Sequence, residues 1–484
     1  MRREFSMNSN TRIEAGDLEI DRRERLRLPA PWLDYRPVAE RIRDFAEACQ
    51  GFSPETARAE AARCIQCPTP QGCTLACPLH NDIPAALWEI HQGHFREAAA
   101  IYRRTSNFPE LCGRLCPDEY LCAGSCSVGA HHPIVRLGRL EAFVADYQRQ
   151  AEGLPIPEIP PPTGRRVAVV GSGPAGLTVA EELAKLGHAI TVFEMRHRPG
   201  GMLVYTIPRF RLPVSIVEEK VAQLERLGVQ FVLNRRVGRD VTVDDLFQQG
   251  YHAVFLGTGA GFETVVNVPG VDLEGVYRAT EFLLRTNLDK AYLPSEEQAS
   301  IQMGQQVAIF GGGHSAVDCA RTAIRLGARE VTCFYRGAEM DTLSRLEDKL
   351  AAEEEHVRFV GLTEPAILIG NDKGHVVQVQ CQHLRLAGRD PRTQVMPVEG
   401  STFKVATDLV VFAPERGPDP LIAEAMPGLW RVPGGWIISD KETGQTTRRG
   451  VFAAGDNTGQ AQLAVVAIAA GRKVAAGIQQ YLSS

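Results

Sequence analysis

The sequence lacks long hydrophobic runs and has no excess of positive charge. The longest apolar stretch near its end, Leu463 to Ala470, is too short to cross a bilayer. Residues 1–28 are charged and arginine-rich and lack the apolar core of a secretory signal, so we expect a cytoplasmic protein. The net charge of −5 gives no reason to expect binding to nucleic acid or insertion into a membrane.

Cysteines are scarce except in one segment. Eight of the 12 lie between Cys64 and Cys126, and the only C-x-x-C pair is Cys64–Cys67. A long chain without a signal is not a disulfide framework, so this density indicates metal. Thioredoxin reductases need a redox C-x-x-C near the nicotinamide, and the lack of a second pair excludes that class.

The stretch Arg166–Gly201 organises the rest of the chain. A short apolar strand, Val167 to Val170, runs into a G-x-G-x-x-G turn, a helix and a second strand that closes on Glu194. This order is the βαβ unit that binds a dinucleotide, with the pyrophosphate at the helix N-terminus and the acid on the adenosine ribose. The turn residues are Gly171, Ser172, Gly173, Pro174, Ala175 and Gly176.

The cysteine spacings predict iron–sulfur clusters. The first half reads C-x2-C-x5-C-x3-C-P and the second C-x3-C-P-x4-C-x3-C. Thiolates at such spacings suit Fe–S clusters, whereas structural zinc, the main alternative, favours two C-x-x-C pairs or a C-x-x-C with two histidines. Spacing alone groups the thiols by halves: Cys64, Cys67, Cys73 and Cys77, then Cys112, Cys116, Cys122 and Cys126.

A second nucleotide unit occupies Gln306 to Arg336. Its glycine turn and helix start comprise Gly311, Gly312, Gly313, His314, Ser315 and Ala316. The second strand ends on Tyr335-Arg336 instead of an acid, and a guanidinium would pair with a 2′-phosphate. We therefore predict NADPH here, with NADH possible and with Arg321 as a further contributor. The alternative is that Arg336 is only a solvated charge.

Two more strand ends belong to the first site. One strand stops on Gly257, Thr258 and Gly259, and another on Gly455 and Asp456, which leaves room for a ligand at their carboxyl ends. The final helix begins near Gln462, Leu463 and Ala464, where its positive end could face a flavin.

Together these residues resemble the small (β) subunit family of NADPH-dependent glutamate synthase. The motifs that carry the resemblance are LCGRLCP, LCAGSC, VGSGPAGL, GGMLVYTIPRFRLP, FGGGHSAVDCARTAIRLGA and FAAGDNTGQ. The resemblance implies FAD on the first unit, NADPH on the second and two [4Fe–4S] clusters at the N-terminus. We also assign to the flavin site Gly201, Met202, Leu203, Arg209 and Val237.

The resemblance also implies how the ligands are shared. Cys64, Cys67 and Cys73 would hold one cluster with Glu141 as a non-cysteine fourth ligand. The other cluster would be held by Cys77, Cys116, Cys122 and Cys126, with Cys112 as an alternative ligand. We prefer this interleaved set to the grouping by halves.

The predicted fold class is α/β, with two Rossmann-like nucleotide-binding domains preceded by an α-helical iron–sulfur domain. A proline-rich linker, 153–163, marks the first boundary. We predict an iron–sulfur domain over 1–160, an FAD-binding domain over 161–262 and 406–484, and an inserted NAD(P)H-binding domain over 263–405.

The predicted function is electron input to a larger partner. Hydride and electron transfer belong to the cofactors, so we expect no acid–base catalytic residues. The first-choice partner is the glutamate synthase large subunit. Alternative partners are a formate dehydrogenase-type subunit or ferredoxin. The alternative from another functional class is that the chain is a zinc-bearing scaffold without catalysis.

Overall fold

The computed structural model describes residues 20–293, 298, 301–338, 344–387, 395–460 and 462–484. The chain divides into two compact units. The smaller unit comprises the described part of residues 1–33 with residues 51–113 and 118–151. The larger unit comprises residues 34–50, 114–117 and 152–484.

Short helices build the smaller unit, and local signals set their ends. Ser53 caps the helix Pro54–Ala62 through a capping box, with proline at its first turn. The sequence between the two halves of the cysteine segment predicts one helical stretch, Ile83 to Tyr102, but Gly93, in the left-handed conformation, ends the helix Ile83–Gln92, so the stretch forms two helices. The helices are Arg22–Arg27, Pro54–Ala62, Gly72–Ala76, Ile83–Gln92, Phe95–Arg103, Pro109–Leu115 and Leu137–Glu152.

The larger unit contains a parallel five-stranded sheet around the first glycine turn. Its strand order is Val451–Ala453, Ala253–Leu256, Arg166–Val170, Ala189–Phe193 and Gln230–Val232. The central strands are buried on both faces, as their continuous β-branched runs require. Helices Pro174–Ala184, Val214–Arg226 and the C-terminal Ala464–Ser483 belong to the same half.

A second parallel sheet carries the second glycine turn. Its order is Val357–Val360, Glu330–Phe334, Gln306–Phe310, Leu409–Phe412 and Val276–Arg278. The strand Leu409–Phe412 pairs with Gln306–Phe310. The inserted domain therefore extends to Phe412, which corrects the predicted boundary after residue 405. Alternating apolar residues and Gly/Asn turns over 340–404 predict an antiparallel segment, and an antiparallel sheet of Thr363–Gly370, Val376–Leu386 and Val395–Ala406 precedes this strand.

The remaining elements are short. They include helices Val38–Arg41, Met202–Tyr205, Val243–Gln248, Ala279–Asn287, Leu346–Glu354 and Pro420–Glu424, and strands Asp34–Tyr35, Cys49–Gly51, Phe262–Glu263 and Arg416–Gly417. The last two strands pair antiparallel where the chain leaves and re-enters the first half. Among the described residues, no helix is both long and apolar enough to cross a membrane.

Candidate functional site

The first glycine turn cannot accommodate side chains at two positions. Gly171 has φ +94°, and a Cβ there would lie 2.5 Å from the carbonyl oxygen of Gly257. A Cβ on Gly176 would lie 2.0 Å from the carbonyl oxygen of Gly171. At Gly173 the space beside the backbone is open. The turn thus packs tightly on the neighbouring strand end and leaves room for a ligand at the helix N-terminus.

Glu194 holds this turn together. Its carboxylate accepts hydrogen bonds from Ser172 N at 3.1 Å, from Ser172 Oγ at 2.5 Å and from Arg196 N at 2.9 Å. Ser172 Oγ in turn accepts from Gly200 N at 3.0 Å. A Cβ on Gly201 would lie 3.1 Å from Gly173 Cα. The structure therefore brings the first glycine turn, the Gly200-Gly201 pair and the acid to one place.

The strand ends predicted to close the site are joined by Asn457, which the sequence analysis did not assign. Asn457 is fully buried, and its Nδ2 donates to the Leu256 carbonyl at 2.8 Å and to Thr258 Oγ1 at 3.3 Å. Its neighbour Asp456 is largely buried, and this burial, partly offset by Arg416, raises the pKa of the carboxyl to about 6. The motif FAAGDNTGQ contained Asn457, but the sequence did not show what it contacts.

Arg416 is a second residue that the sequence analysis missed. Its guanidinium lies 3.5 Å from Met202 Sδ, and its carbonyl accepts a hydrogen bond from Gln462 Nε2 at 2.9 Å. Burial lowers the pKa of Arg416, while Asp456 and Glu263 act to raise it. A cation therefore lies among three predicted flavin-site residues, Met202, Asp456 and Gln462.

The other predicted flavin-site residues fall into three groups. Leu203 and Val237 are buried in the apolar interior. Leu463 is the N-cap of the final helix, which Ala464 begins. Arg209 is exposed, and its guanidinium donates to the Asn287 carbonyl at 3.2 Å, so the structure does not show it with the glycine turns.

The second turn also depends on close packing. A Cβ on Gly311 would lie 2.8 Å from the Ala413 carbonyl oxygen, at the end of the adjacent strand. Gly313 caps the helix His314–Arg325, whose first turn presents His314, Ser315 and Ala316. His314 Nδ1 is buried and has no hydrogen-bond partner among the described residues. Burial and then Arg211 lower the pKa of this imidazole to about 3, so it is neutral.

The two arginines predicted for the second site lie in different environments. Arg336 follows the strand Glu330–Phe334 and is 68% exposed, with Nε 3.3 Å from Glu364 Oε2. Arg321 is buried and bonded to Asp348 at 3.2 Å and to Glu355 at 2.9 Å. Since internal carboxylates engage its guanidinium, the structure corrects its predicted role at the nucleotide.

Four thiols share one cavity in the smaller unit. This cavity is lined by Cys64, Cys67, Cys73 and Cys126 together with apolar side chains such as Ile83 and Leu87. Burial raises the pKa of the Cys64 and Cys73 thiols to about 12. Nowhere in the described chain do three His, Cys, Asp or Glu side chains converge tightly enough for a single ion. The fit to a metal group therefore rests on the shared cavity and the chemistry of its donors.

A second group of candidate ligands surrounds Tyr102. Its hydroxyl is buried and has no hydrogen-bond partner in the described chain. Burial raises the pKa of Tyr102, and the charges of Glu141, Cys122, Cys73 and Cys77 raise it further. Glu141 is itself buried and accepts from Asn81 Nδ2 at 3.4 Å, and its charge raises the pKa of Cys77 after burial. An unpaired buried hydroxyl among such donors suits a bound group.

These groupings differ from both sets that the sequence predicted. Cys126 lines the cavity with Cys64, Cys67 and Cys73, where we expected Glu141 or Cys77. The reason is tertiary: a Cβ on Gly72 would lie 2.6 Å from the Ser125 carbonyl oxygen, and Cys67 Sγ lies 3.6 Å from Ser127 Oγ. The turn around Cys126 thus folds onto the first cysteine loop.

Cys112 and Cys116 are the other two predicted ligands. Cys112 is buried, with Sγ 3.8 Å from Ser106 Oγ. Cys116 belongs to the larger unit.

Both parts of the chain match known protein families. Residues 41–153 match the model described as dihydropyrimidine dehydrogenase domain II, 4Fe-4S cluster, and residues 165–471 match pyridine nucleotide-disulphide oxidoreductase. The chain is 37% identical over 457 residues to the glutamate synthase [NADPH] small chain of Azospirillum brasilense, covering 93% of this chain and 94% of the relative.

Two further matches bear on partner and fold. The chain is 35% identical over 435 residues to the NADP(+)-dependent formate dehydrogenase subunit beta of Moorella thermoacetica, covering 85% of this chain and 60% of the relative. The structure of Mycobacterium tuberculosis FprA in complex with NADPH aligns with a TM-score of 0.54 at 19% identity, covering 66% of this chain and 85% of that one. That likeness shows the fold alone.

Proposed function

The chain belongs to the glutamate synthase small-chain family, and from this premise we propose that it transfers electrons between NADPH, FAD and two [4Fe–4S] clusters and a larger catalytic subunit. The observation that carries the proposal is the cavity lined by four cysteines in a chain that also has two nucleotide-binding glycine turns. When bound, the nicotinamide and flavin supply two-electron chemistry and the clusters supply one-electron carriers.

The chain's own residues bind and orient these groups. Gly171 and Gly173 open the backbone to a pyrophosphate, and Glu194 supplies a carboxylate acceptor for ribose hydroxyls. Arg416 places a largely buried positive charge beside Met202, where it would favour an anionic ligand. On the second sheet, Gly311 and Gly313 open the backbone to phosphates, and Arg336 is available to a 2′-phosphate.

For the clusters we propose a revised ligand set. Cys64, Cys67, Cys73 and Cys126 hold the first cluster, supported by their shared cavity. Cys77, Cys122 and Glu141 hold the second, supported by the buried Tyr102 hydroxyl, which has no hydrogen-bond partner among the described residues and whose pKa the charges of all three raise. Because thiolates are the ligands, cluster assembly must displace protons from Cys64 and Cys73.

The glutamate synthase large subunit is the first-choice partner. The Azospirillum relative is nearly the same length as this chain, which supports that choice. A formate dehydrogenase-type subunit is the second candidate, supported by the Moorella relative, with ferredoxin as a further acceptor.

An anaerobic pull-down of tagged protein from its native host, read by mass spectrometry, tests the choice of partner. A co-purifying amidotransferase subunit supports the first choice, and a molybdopterin subunit or ferredoxin instead overturns it.

Cofactor analysis tests the module itself. We expect anaerobically purified protein to hold FAD and about eight irons. Cys126→Ser should lose about half of the iron with the flavin retained, whereas the matched variant Cys112→Ser should keep all of it. Protein with zinc and no iron would contradict the proposal. Iron loss in Cys112→Ser but not in Cys126→Ser would contradict the revised ligand set alone.

A further inference from the structure

Arg336, the cation proposed to bind a 2′-phosphate, already has an acidic neighbour. Its Nε lies 3.3 Å from Glu364 Oε2. The arginine is 68% exposed, but the glutamate is only 26% exposed. The carboxylate therefore lies at the point where the adenosine ribose of a nucleotide would meet the end of the strand Glu330–Phe334.

Backbone hydrogen bonds hold Glu364, the residue that bears this carboxylate, beside the end of the strand. Tyr335 N donates to the Val360 carbonyl at 3.0 Å, and Thr363 N donates to the Tyr335 carbonyl at 3.1 Å. Leu362 N donates to the Gly337 carbonyl at 3.0 Å, at a turn where Leu362 has φ +49°. Glu364 itself pairs with Gln382 in the antiparallel sheet. The backbone of Glu364 is thus fixed between two sheets, which keeps its side chain within reach of Arg336.

We propose that Glu364 is a specificity-determining residue of the second nucleotide site and lowers its discrimination in favour of NADPH over NADH. The inference rests on the proposed nucleotide function of Arg336. A 2′-phosphate must draw the guanidinium away from Glu364 and then lie close to a like charge. The 2′- and 3′-hydroxyls of NADH can instead donate to the carboxylate, as they do in NAD-binding sites to an acid at the end of the second strand of the βαβ unit.

The test compares coenzyme selectivity in full-length, anaerobically purified variants. Dissociation constants for NADPH and NADH, and kcat/KM with ferricyanide as electron acceptor, are measured for wild type, Glu364→Gln, Arg336→Gln and the double variant. Glu399→Gln is the matched control, because it removes one exposed negative charge from the same antiparallel sheet. A melting temperature for each variant checks that it is folded.

Glu364→Gln should raise the NADPH-to-NADH ratio about fivefold, the size of an exposed charge interaction. Most of the gain should come from tighter NADPH binding, with a smaller loss of NADH binding because its hydroxyls lose the carboxylate. The gain should shrink in the double variant because the phosphate then has no arginine to pair with. The control should leave the ratio unchanged.

Two failures are distinguishable. If Arg336→Gln weakens NADPH while Glu364→Gln leaves the ratio unchanged or lowers it, the inference is wrong and the nucleotide site stands. If Arg336→Gln also leaves NADPH binding unchanged, the 2′-phosphate site is misplaced, and both the inference and that part of the proposed function fail.

Discussion

His314 shows how a single buried side chain can make stability depend on pH. Burial and the nearby Arg211 lower its pKa to about 3, whereas a histidine in an unfolded chain titrates near a pKa of about 6.5. Between these values the unfolded chain binds a proton that the folded chain does not. The contribution of His314 to the free energy of unfolding is therefore fully present above about pH 6.5, and it is lost as the pH falls toward 3.

We predict that His314→Gln removes this loss. From about pH 7.5 to about pH 5.5, His314 alone should cost the wild type about 1.4 kcal/mol of unfolding free energy. Other titrating groups contribute to both proteins, so the difference between variant and wild type isolates the imidazole. Denaturant midpoints at the two pH values provide the measurement. Equal losses in both proteins would show that His314 is not buried as described.

At the same scale, the sequence predicted residues whose role is local. The glycines and Glu194 lie within one βαβ unit, so their spacing sufficed to assign them. The sequence did not predict a place for Arg416 and Asn457 in the site, because they contact Met202 and Leu256, about 200 residues away along the chain. The assignment of Arg321 to the nucleotide was wrong because its partner Glu355 lies on a different element, which no local pattern reveals.

Among the elements, the helix Arg22–Arg27 has a defined role in the smaller unit. Arg25 Nη1 donates to the Cys64 carbonyl at 2.8 Å, and Arg22 donates to the Ile65 and Gln66 carbonyls at 3.0 Å each. Gln66 has φ +48°, a strained conformation that needs such support. The helix therefore fixes the loop Cys64–Cys67 and brings two positive charges to it.

We predict that Arg22→Gln combined with Arg25→Gln destabilises the cluster held by this loop. Iron should be lost faster in air, and the reduction potential should become more negative by tens of millivolts, on the order of 1 kcal/mol per charge. Anaerobic redox titration followed by electron paramagnetic resonance measures the potential. Arg27→Gln, an exposed arginine of the same helix, is the control. An unchanged potential and unchanged iron retention would exclude this role.

Helices and strands could be predicted where the apolar periodicity agreed with the residues that mark the ends of an element. Both glycine-turn strands and the antiparallel excursion follow from apolar runs and turn residues. The helix break at Gly93 was missed because the apolar pattern continues on both sides of it. The cavity that Cys126 shares with the first cysteine loop was also not predicted, because it depends on the turn around Cys126 folding back onto Gly72, which sequence spacing cannot show.

Across the larger unit, a buried ionic network joins the two nucleotide-binding halves. Arg211, from the first half, bonds Asp318 at 2.8 Å and Asp348 at 2.9 Å in the second. Arg321 continues the network from Asp348 to Glu355. Burial opposes the ionised form of Glu355, but hydrogen bonds from Arg325 and Arg321 lower its pKa to about 2.

Such a network makes the two halves unfold together. Arg211→Gln leaves Asp318 and Asp348 buried without their shared cation, which should cost about 3–5 kcal/mol. It should also split the calorimetric transition of the larger unit, because the main ionic link between the halves is gone. Arg239→Gln breaks an exposed pair with Asp240 and should change stability by less than about 1 kcal/mol.

The two variants together test whether the network couples the halves or only fills space. A single transition in Arg211→Gln, lowered no more than in Arg239→Gln, would show that packing around Phe210 suffices. That ring lies 4.7 Å from the Arg321 guanidinium and 3.9 Å from that of Arg325, so it could hold both without Arg211. A split transition would instead show that Arg211 sets how rigidly the second nucleotide-binding half is held against the first, and under the proposed function the orientation of the two cofactors depends on that contact.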